Sequence, residues 1–482
     1  MRKYTGRRKV VTDFERVTAA NVRNAVSGVL GQHDMNSAEE NFLFGYMRGI
    51  QPIYDRVKEI RPDIQYNTVV NHANEIVSFK SSYLLSSPIT YVSRKDGAGV
   101  STLVEKFNDF MHLSGKNATD KELADDLHIC GLGYRMIYPN SAYNGDNSPF
   151  IITTLNPMTT FVAYRNSSAK NSEPVFAATY VNKTGVGRVY DVYTPESHFR
   201  MTDATIEEEP NPMGVIPIVE YVHNEFRLGA FEPVIDLLDD MNILESNRIE
   251  ATAQNVQSLM WFNDIALDDD QVKALQNKPS AFIFTKTVKG GATPNIKSVM
   301  VDLQQADQQV LTNDLYKKIL TIVGMPSTGD GNTSDSSNNG STIVRNGWQH
   351  AEARAKETET LWARSDKRFV EAALSIARAL VKDGFDLRED DITERFTRRN
   401  YEDISTRANV LTMLLGCDKV NPKQAYQVCG LFPDPEEAVI QGLDWYWEME
   451  KKTVKEMTSG AGGRVEDAGD TGSGERRTDG GE

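Results

Sequence analysis

The chain of 482 residues carries 53 Lys and Arg against 68 Asp and Glu, a formal charge of −15 at pH 7. It therefore lacks the overall basic excess with which proteins grip polyanions through counterion release. Hydrophobic residues make up 39%, and the 34 glycines bring the total near the ordinary globular range, which excludes global disorder; the length allows about three domains. Cys130, Cys417 and Cys429 are an odd set without a CxxC pair, so neither a disulfide framework nor a structural zinc site is expected. No apolar run approaches a membrane span, and no apolar stretch follows the basic N-terminal residues Arg2, Lys3, Arg7, Arg8 and Lys9. The expectation is a cytosolic chain without signal peptide or membrane segment.

In chain order, an aromatic and aliphatic stripe (Phe42, Tyr46, Ile50, Ile53) predicts a helix from about Ala38 to Ile60, and a second from Val69 to Leu85 follows Pro62. The period then changes. Short β-branched or aromatic runs at Ile89 to Val92, Tyr134 to Tyr138, Phe150 to Leu155, Thr160 to Tyr164, Val175 to Val181 and Arg188 to Tyr193 predict a meander of strands. Helices around Ser101 to His112 and Asp120 to Ile129 interrupt it, and Glu207 to Pro212 reads as an acidic turn.

Phe231 to about Met260 reads as a long helix. A compact insert from Leu267 to Val301 follows, with a short helix, a strand at Ala281 to Thr285, a Gly-Gly turn and Ser298 to Val301. Leu303 to Val323 is helical again and must stop at Gly324 and Pro326. Every residue from Pro326 to Thr342 is Pro, Ser, Thr, Gly, Asp or Asn, so no core can form from that loop. A helix of near 40 residues from Val344 to Lys382 comes next, with Trp348, Ala351, Ala355, Thr358, Trp362, Phe369, Ile376 and Leu380 at 3-4 spacing. Three short helices are expected over Asp403 to Met457, then a Gly-rich disordered tail.

Chemistry-bearing motifs are scarce. Ser114-Gly115-Lys116-Asn117 lacks the upstream Gly and the hydroxyl of a phosphate-cradling loop. The seven histidines show no paired-ligand spacing. The acidic clusters Glu207 to Glu209, Asp239-Asp240, Asp268 to Asp270 and Glu389 to Asp391 read as solvated charge or helix caps, because adjacent acids point apart instead of converging on ions. No catalytic residue, metal or cofactor is expected. The polar loop between two long helices is the most informative feature, since long structureless loops in compact proteins are usually functional or linkers. It carries Asp330 and Asp335 and no Lys or Arg.

The string Asn211-Pro212-Met213-Gly214-Val215-Ile216-Pro217-Ile218-Val219-Glu220-Tyr221, followed by Gly229-Ala230-Phe231-Glu232-Pro233 and a helix, closely resembles the signature of portal proteins of tailed double-stranded-DNA bacteriophages. The positions that carry the match are Gly214, Ile216, Pro217, Glu220, Gly229, Phe231 and Glu232. Tyr46 to Ile53 and Ser82 to Tyr91 are similar to the family's opening helices and first strand, with Ser86 where Gly is usual.

The resemblance implies an α+β, mainly α-helical portal fold with a β-rich wing, helical stem, small α/β clip and helical crown, assembled as a ring. It divides the chain into an N-terminal arm (1–37), wing (38–228), stem helix (229–262), clip (263–302), second stem helix (303–324), tunnel loop (325–343), wing spine helix and return segment (344–402), crown (403–457) and disordered tail (458–482). It implies a virion protein of the capsid vertex, made in the host cytoplasm, that passes double-stranded DNA without sequence preference and does no catalysis. Expected partners are further copies of the chain (twelve in the capsid, thirteen when isolated), the terminase large subunit, head completion or adaptor proteins, and major capsid and scaffolding proteins, with no membrane. Ser327, Asp330, Asn332, Asp335, Asn338 and Asn339 would face the channel, and Lys317 and Lys318 are stem candidates for transient phosphate contacts. The competing readings are a carboxylate-metal nuclease and a non-catalytic cellular scaffold protein.

Overall fold

The computed structural model describes residues 6–59, 62–94, 98–256, 259–263, 282–285, 295–299, 305–327, 347–381, 384–398, 404–417, 419–432 and 435–460. The chain divides into two compact units, Met1–Arg399 and Asn400–Glu482.

The first unit mixes helices and sheets. Helix α1 (Val22–Met47) is followed by α2 (His72–Leu84), α3 (Ala98–Leu113) and α4 (Lys116–Cys130). The largest sheet takes β1 (Val11–Thr12), β5 (Thr160–Arg165), β6 (Pro174–Lys183), β7 (Gly187–Tyr193), β8 (Ser197–Met201) and β9 (Ile206–Pro210) in that order, antiparallel except for the parallel β1–β5 pair. A second sheet orders β10 (Ile218–Val222), β3 (Leu132–Pro139) and β4 (Phe150–Leu155), and a ribbon pairs β2 (Thr90–Ser93) with β14 (Ile392–Arg395). Phe161, Ala163, Phe176, Ala178 and Phe199 of the large sheet close on Val22, Ala25, Val26 and Val29 of α1 to form one core. This is why the first half of that helix carries small side chains.

Helix α5 (Ile235–Val256), entered through a 3-10 turn at Glu232–Val234, runs beside α6 (Gln305–Val323). One face of α5 is apolar (Ile235, Leu238, Met241) and packs with Ile319, Leu320 and Val323 of α6. A second face is polar at four-residue spacing and docks on the segment before α2. There the Asn242 carboxamide accepts from the Val70 N–H at 2.8 Å, the Ser246 hydroxyl from Thr68 N–H at 2.9 Å, and the Glu250 carboxylate from Tyr66 N–H at 3.1 Å. Between the two helices a small sheet orders β12 (Phe282–Thr285), β11 (Leu259–Asn263) and β13 (Asn295–Val299). Helix α7 (Trp348–Leu380), 33 residues and about 50 Å long, lies on β10 and β3 and buries Trp362, Phe369, Ala373 and Ile376 in the third core.

The second unit holds α8 (Ile404–Leu415), α9 (Pro422–Cys429) and α10 (Pro435–Gly460), with α8 on α9 and α9 on α10. Gly430, in the left-handed region at φ 55°, caps α9.

Several expected boundaries move. Helix α1 starts at Val22, so an arm ending at residue 37 would cut it in half, and it stops at Met47 instead of continuing to Ile60. Gly49 at φ 95° and the Gln51-Pro52 pair break it, since the residue before proline is pushed out of the α region. Glu207 to Pro210 is not a turn but edge strand β9, whose outward acids and terminal proline suit an unpaired sheet edge. Helix α5 stops at Val256, and Met260 lies in β11 instead of a stem helix reaching 262. The long helix begins at Trp348, directly after Gly347 at φ 78°.

Candidate functional site

The signature positions converge where the β10–β3–β4 sheet, the N-terminal segment and α5 meet. Gly214 sits at φ 69° in the turn that precedes β10, a conformation a side chain would strain. The Pro217 carbonyl accepts from Ile137 N–H at 3.1 Å, placing β10 beside β3, and Ile216 packs half-buried on the core beneath. Glu220, on β10, is buried yet takes three partners: the Tyr134 and Tyr164 hydroxyls donate at 3.3 and 3.0 Å, and Arg227 pairs with it at 2.8 Å.

The connection from β10 to α5 is held by backbone contact. Gly131 ends α4 at φ 82°, and a Cβ there would lie 2.2 Å from the Arg227 carbonyl oxygen; a Cβ on Gly229 would lie 2.2 Å from that of Ile129. Only glycine lets these strands of chain cross so closely. Ala230 N–H then donates to His128 O at 2.7 Å and Arg7 N–H to Arg227 O at 3.2 Å. Glu232, at the entrance to α5, accepts from Gly229 N–H and forms an ion pair with Arg7, both side chains fully buried. Burial pushes the Glu232 carboxyl up, and Arg7 opposes that push. Phe231 is fully buried and stacks on Tyr46 at 5.7 Å. The signature is thus a rigid knot that sets the direction in which α5 leaves the sheet.

A second buried network ties α7 to the same sheet. Asp366 accepts from the Tyr91 and Tyr221 hydroxyls at 2.7 and 2.8 Å and faces Arg135 at 3.4 Å. Arg135 also pairs with Asp120, which Lys116 meets at 2.7 Å. Two cations and two carboxylates balance, as charges removed from water must. Sequence reading missed these residues, although Asp366 interrupting the apolar stripe between Trp362 and Phe369 was a legible signal for a buried pair.

Helices α6 and α7 meet where the polar loop departs. Gly324 ends α6 at φ 72° with Arg354 of α7 against it, and a Cβ on Gly347 would lie 3.7 Å from Pro326 Cα. The loop therefore leaves and re-enters the fold at one point. Of the expected loop residues, Ser327 is described and half-buried; Asp330, Asn332, Asp335, Asn338 and Asn339 lie outside the described residues. Behind this base, His128 and His223 rings stand 5.0 Å apart. Burial holds His223 down at about 3 and lowers His128 as well. Lys80 beside them is pushed down to about 8, by burial first and then by Arg354. On α6, Lys317 and Lys318 are exposed, and Lys318 pairs with Asp314 at 2.7 Å.

Of the acidic clusters, Asp239 accepts from the Tyr46 hydroxyl at 2.8 Å and Asp391 from Arg388 N–H at 3.1 Å. Asp268 to Asp270 lie outside the described residues.

The family model described as phage portal protein, SPP1 Gp6-like, matches residues 36–456. The chain belongs to this family. No curated protein matches it significantly. As a portal protein it functions at the capsid vertex in packaging the viral genome, and the family assembles as a homo-oligomeric ring that meets packaging and capsid proteins. The nuclease and cellular scaffold readings find no support. Among the described residues no helix is long and apolar enough to cross a membrane.

Proposed function

We propose that twelve copies close into a ring around one DNA duplex, with thirteen an accessible number when the ring is made outside the capsid. The match over residues 36–456 carries this reading. In it, the knot around Glu220 and Glu232 fixes the stem pair α5 and α6 to the wing, α7 is the wing spine, the β11–β13 sheet belongs to the clip, and unit Asn400–Glu482 supplies the crown. The clip meets the terminase large subunit during filling and head completion or adaptor proteins afterwards; scaffolding and major capsid proteins hold the wing side. The portal does no catalysis, and packaging energy comes from the terminase.

Channel contact falls to the loop 325–343 with Ser327, Asp330, Asn332, Asp335, Asn338 and Asn339. A channel for DNA of any sequence must avoid base readout and strong grips. Twelve pairs of Asp330 and Asp335 without a lysine form a weakly repulsive collar, since like charges within a Debye length of about 8 Å repel. Lys317 and Lys318, both exposed on α6, are the stem candidates for transient phosphate contact, and the surface pair of Lys318 with Asp314 at 2.7 Å competes with such a contact. Changing Asp330 and Asp335 together to Lys should leave ring assembly intact and slow or stall DNA packaging. Normal packaging of that double variant at low salt would contradict the collar.

A further inference from the structure

The large sheet ends on β9, whose outer side has no partner strand among the described residues. In its antiparallel pairing with β8, Asn211 N–H donates to Glu196 O and Thr202 N–H to Thr205 O, both at 2.9 Å. Ladder bonds alternate along such a pair, so Glu207 and Glu209 direct their backbone groups to β8, while Ile206 and Glu208 turn an N–H and a carbonyl outward. The side chains beside this open edge are acidic. Glu207, Glu208 and Glu209 are all exposed. Arg200, opposite Glu207 in the register, turns to Asp191 at 3.5 Å instead, and Glu209 stands 3.8 Å from His198.

Where β9 runs out, a cleft of about 390 Å³ opens between the two sheets, lined by Tyr193 and His198, by Met136 and Tyr138 of β3, and by Met213 and Pro217 of the turn before β10. Phe199 and Met201 of β8 pack toward α1, so the alternating His198 lies on the opposite face of the sheet, and its ring stacks on Tyr193 at 4.4 Å. The cleft is preformed. The Asn211 carboxamide donates to Thr194 O and Val215 O, both at 2.8 Å, and the Ser375 hydroxyl to Met213 O at 3.1 Å, which fixes the turn. Its volume lies near the lower end of the range for ligand pockets, about 300–1,000 Å³, and suits one large apolar side chain.

We propose that β9 and this cleft together take up an extended, basic segment of a partner protein as an added strand. The backbone of the segment pairs with Ile206 and Glu208, its Lys or Arg side chains lie against Glu207, Glu208 and Glu209, and one aromatic or branched apolar side chain enters the cleft. Main-chain bonds to a sheet edge supply affinity in this mode, and a pocket for one of the alternating side chains supplies specificity. The acids choose the occupant. The β9 strand of a second copy would set glutamate against glutamate, which destabilises a strand pair, on a chain already at −15. A basic strand instead gains from the charges that repel a like strand. The edge is closed to self-pairing and open to one class of partner. This surface belongs to the single chain and stands whether or not the ring forms.

The test selects binders from a random library of unstructured peptides against the purified full-length protein. Enriched peptides should carry Lys or Arg on both sides of one aromatic or branched apolar residue. The exposed pair Glu207→Gln and Glu209→Gln, changed together, should weaken the best peptide by about tenfold or more, and Tyr138→Ser, in the cleft, by a similar factor. Methylating alternate backbone nitrogens of that peptide should abolish binding for the set that faces β9 and spare it for the other set. Failure to enrich any peptide, or enrichment of neutral or acidic ones, would overturn the proposal. Equal binding to the native chain and to the double Gln variant would also overturn it, because basic peptides would then be following the net charge of the chain. Binding unchanged by Tyr138→Ser would remove the cleft, and binding indifferent to both methylated sets would remove the added strand; either result contradicts the proposal.

Discussion

Removing one partner of the buried Arg7–Glu232 pair should be severe, and the two possible removals should differ in their pH dependence. Both side chains have zero exposure, and Glu232 also accepts the Gly229 N–H. Glu232→Ala leaves a buried guanidinium that cannot lose its proton with only the half-exposed Glu39 carboxylate, 3.4 Å from its Nε, opposite it, and leaves a buried backbone donor unpaired. The expected cost is about 3–5 kcal/mol, a large part of the roughly 5–15 kcal/mol that stabilises a domain, and it should change little with pH. Arg7→Met instead leaves an acid that can take up a proton. Burial already raises that carboxyl and Arg7 restrains it, so without Arg7 its folded pKa rises further. An acid whose folded pKa exceeds its unfolded value contributes stability at low pH and loses it as pH climbs past its ordinary range. The cost of Arg7→Met should therefore grow from pH 5 to pH 8, by up to about 1.4 kcal/mol per unit. Urea unfolding of the native chain, both single variants and the double variant at these two pH values measures this. A coupling energy below about 0.5 kcal/mol, or identical pH profiles, would refute the idea that the pair fixes the entrance to α5.

Gly229→Ala should destabilise at least as strongly as a typical overpacked core substitution, about 1–3 kcal/mol or more, because its Cβ would meet the Ile129 carbonyl oxygen at 2.2 Å; a melting temperature within 1–2 °C (about 0.5 kcal/mol) of the native value would show that the crossing yields. Acid should weaken the fold behind the loop. The folded His223 pKa of about 3 lies below the ordinary value of 6.5, so its contribution is complete above pH 6.5 and falls away as pH drops toward 3, by about 2 kcal/mol at pH 5. His128 moves the same way. Asp126, pushed up to about 7 by burial, opposes them, gaining stability as pH falls below 7. Consequently His223→Asn should flatten the loss between pH 7 and pH 5, and Asp126→Asn should steepen it; melting curves in which neither slope changes would contradict the assignment.

Much of the sheet region of the first unit was legible because its strands are β-branched and bounded by turn residues: Phe150–Leu155 appears with its predicted limits, and Thr160–Arg165 and Gly187–Tyr193 within one residue of theirs. The opposite happened at Ile206–Pro210, where Glu207, Glu208 and Glu209 followed by proline are turn-like in composition and only the neighbouring strand makes them β. Helix α1 was half hidden, since Val22 to Ser37 carries two glycines and small buried side chains and its stripe is visible only against the sheet it covers. At the candidate site, the signature string located Glu220, Gly229 and Glu232, but their partner Arg7 lies 225 positions from Glu232, and no local pattern links an N-terminal arginine to a distant helix entrance. Asp366 and Arg135 were missed for the same reason: a buried ion pair is a property of two elements at once.

Native mass spectrometry of the purified chain, with electron microscopy of the same sample, bears most directly on the central claim. Closed rings of twelve copies of 53.9 kDa, about 650 kDa, or of thirteen, with an open axial channel, are the expected result. A stable monomer or dimer across micromolar concentrations, or open filaments in place of rings, would contradict the account.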